Sequence, residues 1–539
     1  MSVFPTLIAQ RIRRDRWQLL LWIGGATALA AAAYSGVTST FGTEQERTAL
    51  LAAAIANPVI LLFRGLPSGS EEGAFMVFLI FPWLAFLAAF MSTFLAVRHT
   101  RGDEESGRLE LVSATPAGRM LPLTATLVHG LLANAALGIL IAVTYIAVGL
   151  PVGGALLVGS AVGSVGAVFL ALGLTTAQLM RTSRGANATA VWTTVVLFVI
   201  AGVGNAIGTP SDDLTRMKSS GLTWISPFGW GENTRAFDDD AWWPVILCLA
   251  VTGALSAVAF VLAGARDLGE SLVAEGQGPR AAPRTLSSST GLAWRLTRGA
   301  IVGWALGGFL VGLLSTSLAS IVDDVGSGNP AIEGVLAQLS GGGDLEQATV
   351  TTFFTMLGVL AACAAVQTVC RARQEETHGT AEPLLSSPVA RVRWLADYVC
   401  VGAAGIVLIV LAGVAGAAIG IATRGGAGDL MTDVWVSGGG QAVAASVFLA
   451  ATALVFVVAP RLTIALGWTL VLAATMIGLF GPLLGLPEAL TNASPIAAAP
   501  HREQDAVDLA GLWWLLSATG VGLAASLTLT RRRELFPAG

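Results

Sequence analysis

The sequence predicts an all-α polytopic membrane protein, with twelve transmembrane helices arranged as two parallel six-helix repeats about a pseudo-twofold axis along the membrane normal. Three observations predict it. Hydrophobic residues make up 54% of the 539 residues, charged residues only 12%, and mean hydropathy is +0.73; a soluble chain carries about a quarter charged residues. Apolar stretches of about 20 residues, enough to cross ~30 Å of hydrocarbon, recur throughout. A charged segment also occurs twice, each copy directly after an apolar stretch.

The apolar stretches lie at 17–38, 74–97, 120–149, 152–180, 188–207, 241–264, 298–320, 350–370, 395–422, 439–459, 463–485 and 511–530. Ahead of the first, residues 2–16 alternate Val3, Phe4, Leu7 and Ile8 with Arg11, Arg13, Arg14 and Arg16, the pattern of an interfacial amphipathic helix on the inner leaflet. This start also has the look of a signal peptide, but its removal would leave an odd number of spans and break the symmetry, so an uncleaved span is expected. All but seven of the 30 Lys and Arg (Arg47, Arg64, Arg216, Lys218, Arg235, Arg424 and Arg502) fall in connections on the side of the N-terminus. The positive-inside rule then puts both termini in the cytoplasm. Cys248, Cys363, Cys370 and Cys400 fall in or beside spans without metal-ligand spacing. They read as apolar filler, with no disulfide framework and no metal site implied.

The repeat is carried by polar residues, which chance does not place in apolar sequence. Arg101, Glu104, Gly107, Glu110, Pro116 and Arg119 recur as Arg373, Glu376, Gly379, Glu382, Pro388 and Arg391, each 272 positions later. Glu105 extends the first copy and Glu375 the second. Asn57 and Pro58 recur as Asn329 and Pro330, Ser226 and Pro227 as Ser494 and Pro495, Trp242 and Trp243 as Trp513 and Trp514, and Arg266 as Arg533. Arg13, Arg16 and Trp22 match Arg295, Arg298 and Trp304, 282 positions later. Residues 1–270 therefore form a first six-span half with charged segment 98–119, residues 271–297 a linker whose 276–290 stretch is rich in Gly, Pro and Ser, and residues 298–539 a second half with charged segment 371–393.

A phosphate-binding loop needs Gly-Lys before Ser or Thr. The single lysine, Lys218, follows Met217 and is assigned outside. Leu339, Ser340 and Gly341–Gly343 imitate an ABC signature, but lie in an outer loop with no nucleotide fold around them and read as a flexible turn. Ion coupling needs ionisable residues within the membrane; only His129, read as a packing residue, and Asp397, near a span end, qualify. No clustering of His with Asp or Glu and no nucleophile motif is visible, so no catalytic residues are expected. Energy is expected from another polypeptide, through Glu104, Glu105, Glu110, Glu376 and Glu382 on short helical runs stopped by Pro116 and Pro388, where carboxylates can pair with cations of a docking protein.

The pattern Glu-x-x-Gly-x-x-Glu followed by Thr/Ser-Pro-x-x-Arg resembles the coupling helix of type-2 ABC exporter permeases, in the fused twelve-span actinobacterial branch of polyketide-antibiotic and multidrug exporters. The resemblance covers essentially the whole chain. It implies a bacterial cytoplasmic membrane, two copies of a separate ATP-binding subunit docking at Glu104–Arg119 and Glu376–Arg391, ATP and Mg held by that partner, and no cofactor or nucleic acid bound here. It also implies an outward path lined by spans two and five of each half. The second copy departs with Pro383 inside the charged helix and His378 before Gly379, so unequal docking sites are expected.

On span two, Phe75, Trp83, Phe86, Phe90 and Phe94 fall within about 100° of one another at 100° per residue, with Pro82 on the same face. This face reads as a wall for a greasy, ring-containing cargo or as packing between spans. Span eight offers only Phe353 and Phe354. Residues 220–237 are expected to form a short interfacial or re-entrant element, with 494–510 its shorter counterpart. Spans so poor in charge suit an amphipathic, largely apolar cargo. Export of a lipid or cell-wall precursor, or ion-coupled drug antiport, are the alternatives.

Overall fold

The computed structural model describes residues 3–56, 58–113, 118, 120–267, 281, 283–326, 345–422, 428–480, 487–503, 506–531 and 533. Asn57, Pro116, Arg119, Asn329, Pro330, residues 339–343 and residues 271–280 lie outside these. Among the described residues, twelve helices are long and apolar enough to cross a membrane. The chain divides into two compact units, Met1–Gln277 and Gly278–Gly539.

The first unit contains α1 (Val3–Thr40), α2 (Glu72–Val97), α3 (Leu121–Ala147), α4 (Val152–Leu179), α5 (Ser183–Ala206) and α6 (Trp243–Ala265). Helix α4 is its centre, packed by α2, α3 and α6. Small residues make that position possible: a Cβ on Gly159 would stand 2.2 Å from the Gly138 carbonyl oxygen, so α3 and α4 touch backbone to backbone. The second unit contains α7 (Ser289–Gly326), α8 (Leu345–Thr377), α9 (Arg391–Ala422), α10 (Gly428–Val458), α11 (Thr463–Phe480) and α12 (Leu512–Thr530). Here α10 packs on α8, α9 and α12. The backbone contact is instead between α7 and α9, where a Cβ on Gly312 would meet the Gly413 carbonyl oxygen at 1.8 Å.

The start of the chain corrects the sequence reading. Residues 3–16 are not a separate interfacial helix but the first turns of the unbroken α1. No Gly or Pro occurs between Pro5 and Gly24, so nothing stops the helix. Arg11 and Asp15 are buried against the rest of the unit.

The two charged segments begin differently and turn alike. After α2, a single π-helical turn, Arg98–Gly102, carries His99 and Arg101 into the interior, as π-bulges at functional sites commonly do. Helix α8 runs to Thr377 as regular α-helix. Both then reverse at a glycine with φ near +70°, +70° at Gly107 and +71° at Gly379, a conformation that costs other residues about 1–2 kcal/mol. Short helices Arg108–Ser113 and Ala381–Leu385 follow. Pro383 is tolerated because it sits in the first turn, where its missing N–H has no helical partner to lose.

Between α5 and α6, Ser220 caps a 3₁₀ turn at Gly221–Ile225 and Ser226 caps a short helix, Pro227–Glu232, every residue of which is buried. The Trp224 and Trp243 rings stack at 4.7 Å. In the second unit the corresponding stretch is turns followed by an antiparallel hairpin, His501–Glu503 with Ala506–Asp508.

Candidate functional site

The glutamates of the repeated segments anchor two buried charge clamps. In the first unit Arg266, just beyond α6, donates through Nη1 and Nη2 to the two oxygens of Glu104, both at 2.8 Å. Arg101 adds a third bond at 2.8 Å. Arg266 Nε also donates to Gln178 (2.9 Å) and Arg101 Nε to the Met180 carbonyl (2.7 Å). The clamp thus ties the ends of α2, α4 and α6. In the second unit Arg533 Nη2 lies 2.7 Å from both oxygens of Glu376, Arg373 donates at 3.1 Å, and the Arg533 guanidinium lies 4.3 Å from the Phe456 ring centre on α10. Arg391 donates to the Arg533 carbonyl. Paired, hydrogen-bonded carboxylates of this kind are costly to disrupt rather than large net stabilisers.

Glu104 and Glu376 therefore turn inward, each held by arginines of its own unit. Glu105 caps the start of α5 by accepting from the Ser183 backbone N–H at 2.7 Å and from the Ser183 hydroxyl. Glu110, Glu382, Pro388 and Arg391 are exposed, and Gly107 and Gly379 half-buried at the turns.

The aromatic residues of α2 split into two groups. Phe75 is fully buried against Phe41 (5.5 Å) and Phe78 (6.3 Å). Phe86, Phe90 and Phe94 are half-buried and Trp83 is exposed. Phe86 meets Phe90 at 4.5 Å, and Phe90 stacks on Phe94 at 5.7 Å. Phe198 of α5 and Phe228 of the short buried helix join them, 5.0 Å and 6.1 Å from Phe86. Those two partners had no helical spacing to announce them. In the second unit Phe353 is half-buried and Phe354 belongs to the core. A groove of about 600 Å³ runs between α3, α4 and α6, lined by Leu131, Ile139, Leu156, Trp242 and Leu249, with the buried Asn134 at its floor. That volume is typical of a small-molecule site.

A third grouping corrects the expectation that no histidine clusters with a carboxylate. His99 Nε2 and His129 Nε2 both face Asp15 Oδ2, the second at 3.0 Å. Arg98 lies 3.3 Å from Asp15 Oδ1. His99 Nδ1 faces Asp103 at 3.6 Å, and Asp103 binds Arg14 at 2.7 Å and Arg108 at 3.3 Å. His129 is hydrogen-bonded, as its reading as a packing residue requires. Its partner escaped notice because Asp15 sits in an arginine-rich run that reads as solvated. Among the described residues, these three carry the donor atoms a metal ion would need.

Comparison with known proteins accords with this architecture. The sequence matches the family described as "Multidrug efflux system permease Rv1217c, C-terminal domain" over residues 6–262 and 286–531. It is 32% identical over 535 residues to the multidrug efflux system permease protein Rv1217c of Mycobacterium tuberculosis, covering 98% of this chain and 94% of that protein. With twelve candidate spans, it is a multi-pass membrane protein. The chain belongs to the Rv1217c family of ABC-type multidrug efflux permeases.

Proposed function

We propose that this chain is the membrane-spanning subunit of an ATP-driven exporter that moves amphipathic compounds outward across a bacterial cytoplasmic membrane. Two copies of a separate ATP-binding subunit, which holds ATP and Mg, dock on segments 98–119 and 371–393 from the cytoplasm, where both termini also lie. The observation that carries this reading is the pair of clamps. Glu104 and Glu376 join each charged segment to the arginine that follows the last span of its unit, Arg266 or Arg533. A buried, charge-assisted pair held by two hydrogen bonds resists shear, so a push on the exposed face, at Glu110 or at Glu382 and Arg391, reaches the spans. The two docking sites are unequal, since only the first follows a π-helical turn.

The relative's printed role in multidrug efflux supports drug-like cargo for this chain. The partly exposed stripe of Trp83, Phe86, Phe90 and Phe94 offers ring faces to such a compound. Phe75 and Phe354 contribute as packing behind the path, and Phe353 offers a smaller counterpart in the second half. Reconstitution tests the reading: vesicles holding this chain alone should show no ATP-dependent export of a hydrophobic dye, and vesicles holding it with its ATP-binding subunit should. Equal export without the partner would overturn the proposal.

A further inference from the structure

Neither the clamps nor the aromatic stripe uses the buried cluster at the junction of α1, α2 and α3. We propose that Asp15, His99 and His129 form a three-ligand site for a divalent transition-metal ion of the zinc class, present in the first unit alone. One donor atom from each residue lies within 4.8 Å of the other two, and all three residues are buried. The common focus is Asp15 Oδ2, with His129 Nε2 at 3.0 Å and His99 Nε2 against it. Donors that share one tetrahedral ion through bonds of about 2.0–2.2 Å stand further apart than these do, so binding moves His129 slightly and draws the His99 ring back from Asp15. Two imidazoles and one carboxylate suit zinc, cobalt or nickel; magnesium and calcium take all-oxygen sets.

The surroundings complete the ligand geometry. A metal-bound imidazole commonly points its other nitrogen at a carboxylate that fixes its tautomer. His99 Nδ1 faces Asp103 Oδ2 at 3.6 Å, and Arg14 and Arg108 hold Asp103 in place. One buried atom of the cluster, His99 Nδ1, lacks a hydrogen bond among the described residues, a condition that asks for an explanation in a packed interior. Without a metal, each imidazole must present its proton at Nε2 to share one carboxylate oxygen. With a proton at Nε2 alone, His99 would aim a lone pair from Nδ1 at Asp103. A metal at both Nε2 atoms moves the His99 proton to Nδ1, where Asp103 can accept it. Arg98 pairs with the other carboxylate oxygen, Oδ1, and leaves Oδ2 to the metal.

Among the described residues the site has no duplicate. The spacings that relate the halves put Thr297, Arg371 and Val401 opposite Asp15, His99 and His129, a set with no metal-type ligand. A bound ion would fasten the first charged segment to α1 and α3 and leave the second unit unaffected.

The test uses untagged, chelator-stripped full-length chain in detergent, titrated with Co²⁺ and Zn²⁺. About one Co²⁺ per chain should bind with the visible absorption of a tetrahedral site, and Zn²⁺ should displace it and raise the melting midpoint. His99→Ala/His129→Ala should lose both effects. His378→Ala/His501→Ala, which removes the remaining two of the four histidines, should keep them. Asp103→Asn should weaken binding by about 10–100-fold. A wild-type chain that shows no tetrahedral cobalt spectrum overturns the proposal, as does a His99/His129 variant that binds like wild type. If that variant does not fold, Asp15→Asn, nearly identical in shape, takes its place: loss of the cobalt spectrum supports the site and an unchanged spectrum overturns it.

Discussion

Cutting the first clamp at Arg266 should separate docking from transmission. Arg266→Ala removes both prongs of the fork on Glu104 and leaves the carboxylate with Arg101 at 2.8 Å. The side chains of Arg266 and Glu104 are 7% and 6% exposed, so water does not replace the lost partner. Removing one member of a buried pair costs about 3–5 kcal/mol; the surviving Arg101 bond places this variant near the lower end, at about 3 kcal/mol. In the second unit Glu376 is 1% exposed, and Arg533 also stacks on Phe456. The cation–π contact adds about 0.5–2 kcal/mol, so Arg533→Ala should cost more than Arg266→Ala. The assay pairs detergent melting with dye export and ATP hydrolysis in vesicles holding the partner subunit. Melting should fall and export per ATP should drop, while the partner still co-purifies, because exposed Glu110 is untouched. The Glu104→Ala/Arg266→Ala double variant should be less damaged than the two single effects added, by about 0.5–3 kcal/mol. Unchanged melting and unchanged export in Arg266→Ala would refute the clamp as a mechanical link.

Reversing the exposed charges, Glu110→Lys with Glu382→Lys, should instead weaken co-purification of the partner and leave melting near wild type; normal complex yield would make these residues solvated loop charges. Phe86→Ala/Phe90→Ala should change which compounds are exported more than it changes ATP hydrolysis, and a loss of folding would mark the stripe as packing core. Glu232, buried with Asn205 donating at 2.6 Å, has its carboxyl pushed up to about 8 by burial, against the Asn205 bond. The folded chain therefore holds a proton that the unfolded chain releases from about pH 4.5 upward. Stability from this group is full below that value and falls as pH rises through 8, by at most about 1.4 kcal/mol per pH unit; Glu232→Gln should flatten the melting profile over this window, and an unaltered profile would place the ionisation elsewhere.

The spans were legible because twenty apolar residues in a row have few other uses, and the observed helices overlie the apolar runs, although α7 begins at Ser289 and α10 at Gly428, well ahead of the runs at 298–320 and 439–459. The boundary at Arg16 was misread: alternating Arg and apolar residues fit an interfacial helix equally well, and only the absence of a breaker at Trp17 speaks for continuity. The clamps were half visible. Glu104, Arg101 and Arg266 each stood out through the repeat, yet nothing in one dimension brings Arg266 to a glutamate 162 residues away. Asp15, His99 and His129 lie on three helices, and a lone histidine in a span carries no sign of its partner. Phe228 was hidden for a similar reason, since a six-residue helix buried among α2, α4 and α5 has no periodicity to read.

A separate ATP-binding subunit is proposed to drive this chain. The most direct measurement is ATP hydrolysis and dye export by the purified chain in vesicles, before and after addition of that subunit. Neither activity is expected from the chain alone and both together once the partner is present, with hydrolysis lost when the partner's own nucleotide site is disabled. ATP turnover or ATP-dependent export by the chain without its partner would contradict this proposal.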